Sequence, residues 1–266
     1  MNDNKIDQST PDVQADYFRA VRAAIDRIEN GERAAIAAAA RRFADTIIAG
    51  RLVHIFGTGH SRMAVEEMFP RYGSFPGFHP IVELSMTYHN QVVGANGQRQ
   101  AMFLENVAGF GAVLWRNFSV TRDDALLAIS SSGSSAATID VALEAKAIGM
   151  FVVALTSLDQ AAVSSSKHES KKLLHQACDL TIDHHAPAGD AAVRIEGLEA
   201  PVSPLSTITS CVAINLIKAE VARLLVEAGR PPAVLVASCH VGAERSRKIF
   251  EETYNDYRKR IGVLYR

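Results

Sequence analysis

The chain has 266 residues, of which 48% are hydrophobic and 21% charged, and its net charge is −1. This is the composition of an ordinary globular protein, and the near-zero charge balance leaves no electrostatic footprint for nucleic acid or an anionic membrane. No apolar run is long enough to span a bilayer, and the three cysteines, Cys178, Cys211 and Cys239, lie far apart with no CxxC spacing. That pattern indicates neither a disulfide framework nor a zinc site, and the cysteines are expected as small core residues.

In chain order, the polar opening MNDNKIDQSTPD lacks the apolar core of a signal peptide, so the protein is expected in the cytoplasm. After a loose segment to about Pro11, an Ala-rich amphipathic pattern predicts helix from Val13 to Ala49, broken near Asn30-Gly31. From Arg51 onward apolar runs alternate with helical patterns. Strands are expected at 51–56, 79–84, 124–130, 151–156 and 178–183, and helices at Arg62 to about Tyr72 and Ala136–Gly149. The irregular stretch 85–100, with Asn90, Gly94, Asn96 and Gly97, reads as a candidate lid. A long helical pattern from about Ser206 to Glu227 follows Pro201 and Pro204, and a last amphipathic helix spans about Gly242 to Lys259. The division is therefore a helical segment, 1–50, and one α/β domain with C-terminal helices, 51–266. Five β segments alternating with helices argue for a parallel sheet covered on both faces.

Two strand-to-helix turns carry the chemistry. Ser130-Ser131-Ser132-Gly133-Ser134-Ser135 follows the apolar run Ala125–Ile129 and precedes a helix. An N-cap needs one hydroxyl, whereas five hydroxyls on a helix N-terminus make a cradle for an anion, most simply a phosphate. The earlier turn, Gly57-Thr58-Gly59-His60-Ser61, repeats the design of glycine plus hydroxyl after the run RLVHIF. In an open parallel sheet both turns lie at the carboxyl ends of strands, where one pocket can receive them. A dinucleotide fingerprint does not fit, because GTGHS lacks the third glycine; Glu83, about twenty-five residues on, is a weak match by itself.

The segment AISSSGSSAATIDVALEAKAIGMFVVALTS resembles the phosphosugar-binding core of the sugar isomerase (SIS) domain, and LVHIFGTGHS resembles that domain's opening strand and glycine turn. SSKHESKKLLHQACDLTID, HAPAGDAAV and VSPLSTITSCVAINLIKAEVARLL are similar to an uncharacterised bacterial branch related to phosphoheptose isomerases. The resemblance runs from Arg51 to about Leu225. It implies an α/β fold, a three-layer α/β/α sandwich with a five-stranded parallel sheet, assembled as a dimer or tetramer with sites near the interfaces. It also implies that Ser130, Ser131, Ser132 and Ser135, around Gly133, hold the phosphate of a phosphorylated sugar, with Ser61 adding a donor beside the turn glycines Gly57 and Gly59.

Aldose-ketose isomerisation needs a base to take a proton next to a carbonyl and an acid to protonate oxygen. By the resemblance the base lies on the helix after the first turn, where Glu66 and Glu67 stand. His60 and His168 are the candidate acids, since the long helix Ser206–Glu227, on which the family carries a histidine, has none. Glu83 and His89 are reserves, and Glu105 reads as opening a helix. The pair His184-His185 points to opposite sides of an extended segment, so no metal is expected. The expected function is a cofactor-free sugar-phosphate isomerase working through an enediol, with two alternatives: a non-catalytic phosphosugar-binding regulator, or an amino-sugar phosphate lyase or etherase.

Overall fold

A computed structural model describes residues 12–86 and 97–265. The loose N-terminal segment, most of the expected lid and His89 lie outside the described residues. Five parallel strands, β1 (Val53–Gly57), β2 (Phe78–Ile81), β3 (Ala125–Ile129), β4 (Phe151–Thr156) and β5 (Leu180–Asp183), form one sheet in the order β2-β1-β3-β4-β5. Alternation along the strands divides the core in two. Val53, Ile55, Leu127, Ile129, Val153 and Leu155 face one side, packed under α1 (Val13–Gly31), α2 (Arg33–Ile48), α3 (Arg62–Met68) and α9 (Ser206–Glu227). Phe56, Leu126, Ala128, Val152 and Ala154 face the other, together with α5 (Phe110–Trp115), α6 (Ala136–Ala147) and α8 (Leu174–Ala177). Period-2 strands with both faces buried require helices on both sides, which is the expected three-layer sandwich.

The N-terminal helices belong to that core rather than flanking it. Ile36, Ala39, Ala40, Phe43 and Ala44 of α2 are buried against sheet residues and against α9. Asp12 caps α1, its side chain accepting from the Ala15 amide at 2.9 Å. The remaining helices are α4 (Gly97–Leu104), α7 (Leu158–Ala162), α10 (Ser238–Val241) and α11 (Ala243–Ile261). The C-terminal helix straps the end of α3: Tyr257 meets Phe69 edge to face at 5.4 Å, and the Tyr254 hydroxyl donates to the Pro70 carbonyl at 3.2 Å.

Three expectations need correction. The helix from Arg62 ends at Met68 instead of about Tyr72, because Pro70 drives Phe69 into extended backbone at ψ 146°. Strand β2 stops at Ile81, and a single 3-10 turn, Leu84–Met86, replaces its expected end. Of the cysteines, Cys178 and Cys211 are half-buried but Cys239 is exposed. No helix among the described residues is long and apolar enough to cross a membrane.

At two histidines burial outweighs the pull of nearby carboxylates. His79 on β2 shares a 3.0 Å contact between Nδ1 atoms with His54, and burial, reinforced by His54 and opposed by Asp124, pushes its pKa down to about 3. His184, just past β5, is pushed down to about 4 by burial, against the pull of Asp183 and Asp190. Both folded values lie below the ordinary value of about 6.5, so the unfolded chain binds the extra protons and stability falls as pH drops from about 6.5 toward 4. His184 alone accounts for about 3 kcal/mol by pH 4. The melting temperature should therefore fall steeply over this window, and His184→Asn, which keeps an acceptor for the Ala186 amide, should flatten the slope. An unchanged slope in the variant would remove His184 from the account.

Candidate functional site

In the order β2-β1-β3-β4-β5, the connections leaving β1 and β3 run in opposite directions, and ligands bind at such a switch point. A cavity of about 510 Å3 lies there. The turn after β1 supplies Thr58, His60 and Ser61, and the turn after β3 supplies Ser130, Ser131, Ser132, Ser134 and Ser135. Glu105 and Asn106, just past α4, close one side. Gln160 of α7 and Lys167 stand on another, and Asp190, Ser206, Thr207 and Ser210 form the wall at the start of α9.

The serine turn is held from behind. The Ser131 carbonyl accepts from the Ser157 amide at 2.9 Å and from Thr156 Oγ1 at 3.1 Å, the Gly133 carbonyl from the Leu174 amide at 2.8 Å, and the Ser134 carbonyl from the Lys167 amide at 2.9 Å. With its carbonyls tied to β4, α8 and the 167 segment, the turn offers hydroxyls and the N-terminus of α6 to the cavity. Gly133 makes this possible at φ +64°, with a position for Cβ only 3.3 Å from Thr156 Oγ1. Within the cradle, Ser131 Oγ donates to Gln160 Oε1 at 2.7 Å, Ser132 and Ser134 hydroxyls share a bond of 2.8 Å, and Ser135 Oγ donates to the Glu105 carbonyl at 3.2 Å.

Glu105 is fixed by two elements at once. Its carbonyl also accepts from the Ala137 amide in the first turn of α6 at 2.9 Å, and its carboxylate accepts from Thr58 Oγ1 at 2.5 Å. The sequence reading placed it at the opening of a helix; it stands instead just beyond the last residue of α4, half-buried and lining the cavity. Asp190, the other carboxylate of the lining, has a different task. It accepts from the Leu205 and Ser206 amides at 3.0 and 2.8 Å and from Ser206 Oγ at 2.5 Å, which caps α9 across 16 residues of sequence.

Of the residues singled out from sequence, His60, Ser61, Ser130, Ser131, Ser132 and Ser135 line this one cavity. Gly57, Gly59 and Gly133 shape its turns; a Cβ on Gly57 would lie 3.0 Å from the Ile129 carbonyl, and Gly59 sits at φ +54°. Glu66, Glu67 and His168 are outside the lining. Glu66 is exposed and paired with Arg62 at 2.5 Å. Glu67 turns toward α9: burial raises its carboxyl pKa, but bonds from Asn215 and Arg71 and the nearby Lys218 hold it below the usual range. His168 is buried against α6, with Nε2 2.9 Å from Asp140 Oδ1. Among the described residues no cluster of three or more His, Cys, Asp or Glu has the arrangement of a metal site. Sequence reasoning missed Glu105, Gln160, Lys167 and the start of α9, which come to the cavity through tertiary contacts with no local signature.

A hydroxyl-rich turn at a helix N-terminus, set at the switch point of a doubly wound parallel sheet, defines an α/β protein with a cavity whose lining has the chemistry that suits an anion. The family model described as the SIS domain matches residues 16–157, more than half of the chain, and the chain belongs to that family. It is 31% identical over 249 residues to a UPF0309 protein of Geobacillus sp., covering 93% of this chain and 97% of the relative. A UPF0309 protein of Oceanobacillus iheyensis is 32% identical over 242 residues, 91% and 96% of the two chains. Among solved structures, a phosphoheptose isomerase from Francisella tularensis superposes with TM-score 0.49 at 17% identity, over 79% of this chain and 96% of that one. The Vibrio vulnificus NanR protein complexed with ManNAc-6P superposes with TM-score 0.45 at 16% identity, over 92% and 69%.

Proposed function

We propose that this protein binds a phosphorylated sugar in the cavity between β1 and β3 and interconverts its aldose and ketose forms through an enediol. The observation that carries the reading is the convergence of the serine turn, at the N-terminus of α6, with a positioned carboxylate, Glu105, on one cavity. The headgroup sits on Ser130, Ser131, Ser132 and Ser134, where hydroxyls and the helix N-terminus stabilise its charge, and Ser61 adds a donor from the facing turn. Glu105 takes the proton from the carbon next to the carbonyl and returns it to the neighbouring carbon, while His60 exchanges the proton on oxygen. Asp190 is not assigned this role, because both of its oxygens cap the start of α9.

A thermal-shift panel of sugar phosphates, amino-sugar phosphates and their unphosphorylated partners tests the binding step, and NMR of each hit in D2O tests the chemistry. Phosphorylated sugars alone should raise the melting temperature, and solvent deuterium should enter at C1 or C2 as aldose and ketose interconvert. Binding without exchange would favour the regulator, and stabilisation by no phosphorylated compound would overturn the cradle. Ser132→Ala should weaken the hit about tenfold, the scale of one lost hydrogen bond to a charged group.

A further inference from the structure

The cavity sets two carboxylates, Glu105 and Asp190, around a site whose ligand is itself read as an anion. A helix N-terminus contributes only about half a positive charge, so a doubly charged headgroup beside two carboxylates needs a further cation. Lys167 is the single Lys or Arg of the described lining. Its side chain is exposed and forms no ion pair among the described residues, and its backbone amide is bonded to the serine turn itself through the Ser134 carbonyl at 2.9 Å.

The position of Lys167 is fixed by its neighbour. The Ser170 amide donates to His168 Nδ1 at 3.0 Å, which leaves the proton on Nε2 to be donated to Asp140 Oδ1 at 2.9 Å. Asp140 and His168 are each about nine-tenths buried, and Asp140 Oδ2 also accepts from the Gly111 amide at 3.1 Å. The His168 amide closes the turn on Ser166 Oγ at 3.2 Å, whose own proton goes to the Lys172 carbonyl at 2.7 Å. Lys167 thus hangs between two anchors on the same helix end, the Ser134 carbonyl on one side and the His168–Asp140 bridge on the other.

We infer that Lys167 is the specificity-determining cation of this site, selecting a doubly charged phosphate monoester over a singly charged headgroup, and that His168 and Asp140 are positioning residues which act through it. The inference rests on the phosphosugar reading and adds the charge state the site selects and the arm that reads it. His168, offered by the sequence as an acid, then serves binding from outside the cavity.

The test uses methyl phosphate and methyl sulfate at pH 8, the smallest probes that carry a dianionic or a monoanionic headgroup and nothing of any particular sugar, titrated by NMR into the whole protein. Wild type should prefer methyl phosphate, Lys167→Met should cut that preference about fivefold, as for one exposed charge pair, and Lys167→Arg should keep it. His168→Gln should lower the same ratio in the wild-type background and not further in Lys167→Met. A merely structural histidine would lower the melting temperature and leave the ratio alone. An unchanged ratio in Lys167→Met, with wild type still binding methyl phosphate, overturns the inference and spares the phosphosugar reading. Binding of neither probe by wild type overturns both.

Discussion

Glu105→Gln is expected to lower kcat about a thousandfold on the sugar phosphate found by the panel, with KM within a fewfold of wild type. Glutamine has the volume of glutamate and keeps an oxygen that accepts from Thr58 Oγ1, and the Glu105 carbonyl stays with Ser135 and Ala137, so the substitution removes the base and keeps these three bonds. A thousandfold is about 4 kcal/mol of transition-state stabilisation, within the range a positioned base supplies. The counter-test is Glu67→Gln. Glu67 is tied to Arg71, Asn215 and the α9 face, so its replacement should leave kcat nearly unchanged. If Glu67→Gln abolishes turnover and Glu105→Gln does not, the base is on α3, and its carboxylate must serve a cavity other than the one described.

The contrast between these two glutamates shows where sequence reading reaches and where it stops. The central strands β1, β3 and β4 were legible as mostly apolar runs that end in turn residues, and the run Ala125–Ile129 into five serines marks both a strand end and an anion cradle within one short segment. Helix α9 was legible from its Pro-punctuated approach and long periodic face. Glu105 was not, because nothing adjacent to it marks it: its place follows from a carbonyl that takes bonds from Ser135 and Ala137, 30 or more residues later. Asp190 caps a helix that begins at Ser206, whereas the capping rules legible in sequence look three residues ahead. Lys167 sits in a Ser-rich turn that reads as loop until the buried bridge of His168 to Asp140 gives it an address. Local pattern specifies the elements; the cavity is assembled from contacts between elements.

The same logic gives the second large effect, at a glycine outside the cavity. Gly111→Ala should destabilise the fold by about 3 kcal/mol and lower the melting temperature by about 6–12 °C. A Cβ at Gly111 would lie 2.2 Å from the Ala137 carbonyl oxygen and 2.6 Å from Asp140 Cβ, and since the nearest atom is backbone, no rotamer change relieves it. Helices α5 and α6 must move apart. That movement pulls the Gly111 amide off Asp140 and strains the joint at which Ala137 and Ser135 hold Glu105, so sugar-phosphate affinity should fall together with stability. Gly109→Ala, two residues earlier, separates the causes. Gly109 has φ +77° and nothing within 4 Å of a Cβ, so the substitution brings backbone strain of about 1 kcal/mol with no clash against α6. Ligand affinity should survive in Gly109→Ala and fall in Gly111→Ala, measured by calorimetry on both folded variants. Equal affinities would mean that the α5–α6 contact supports the fold without setting the site.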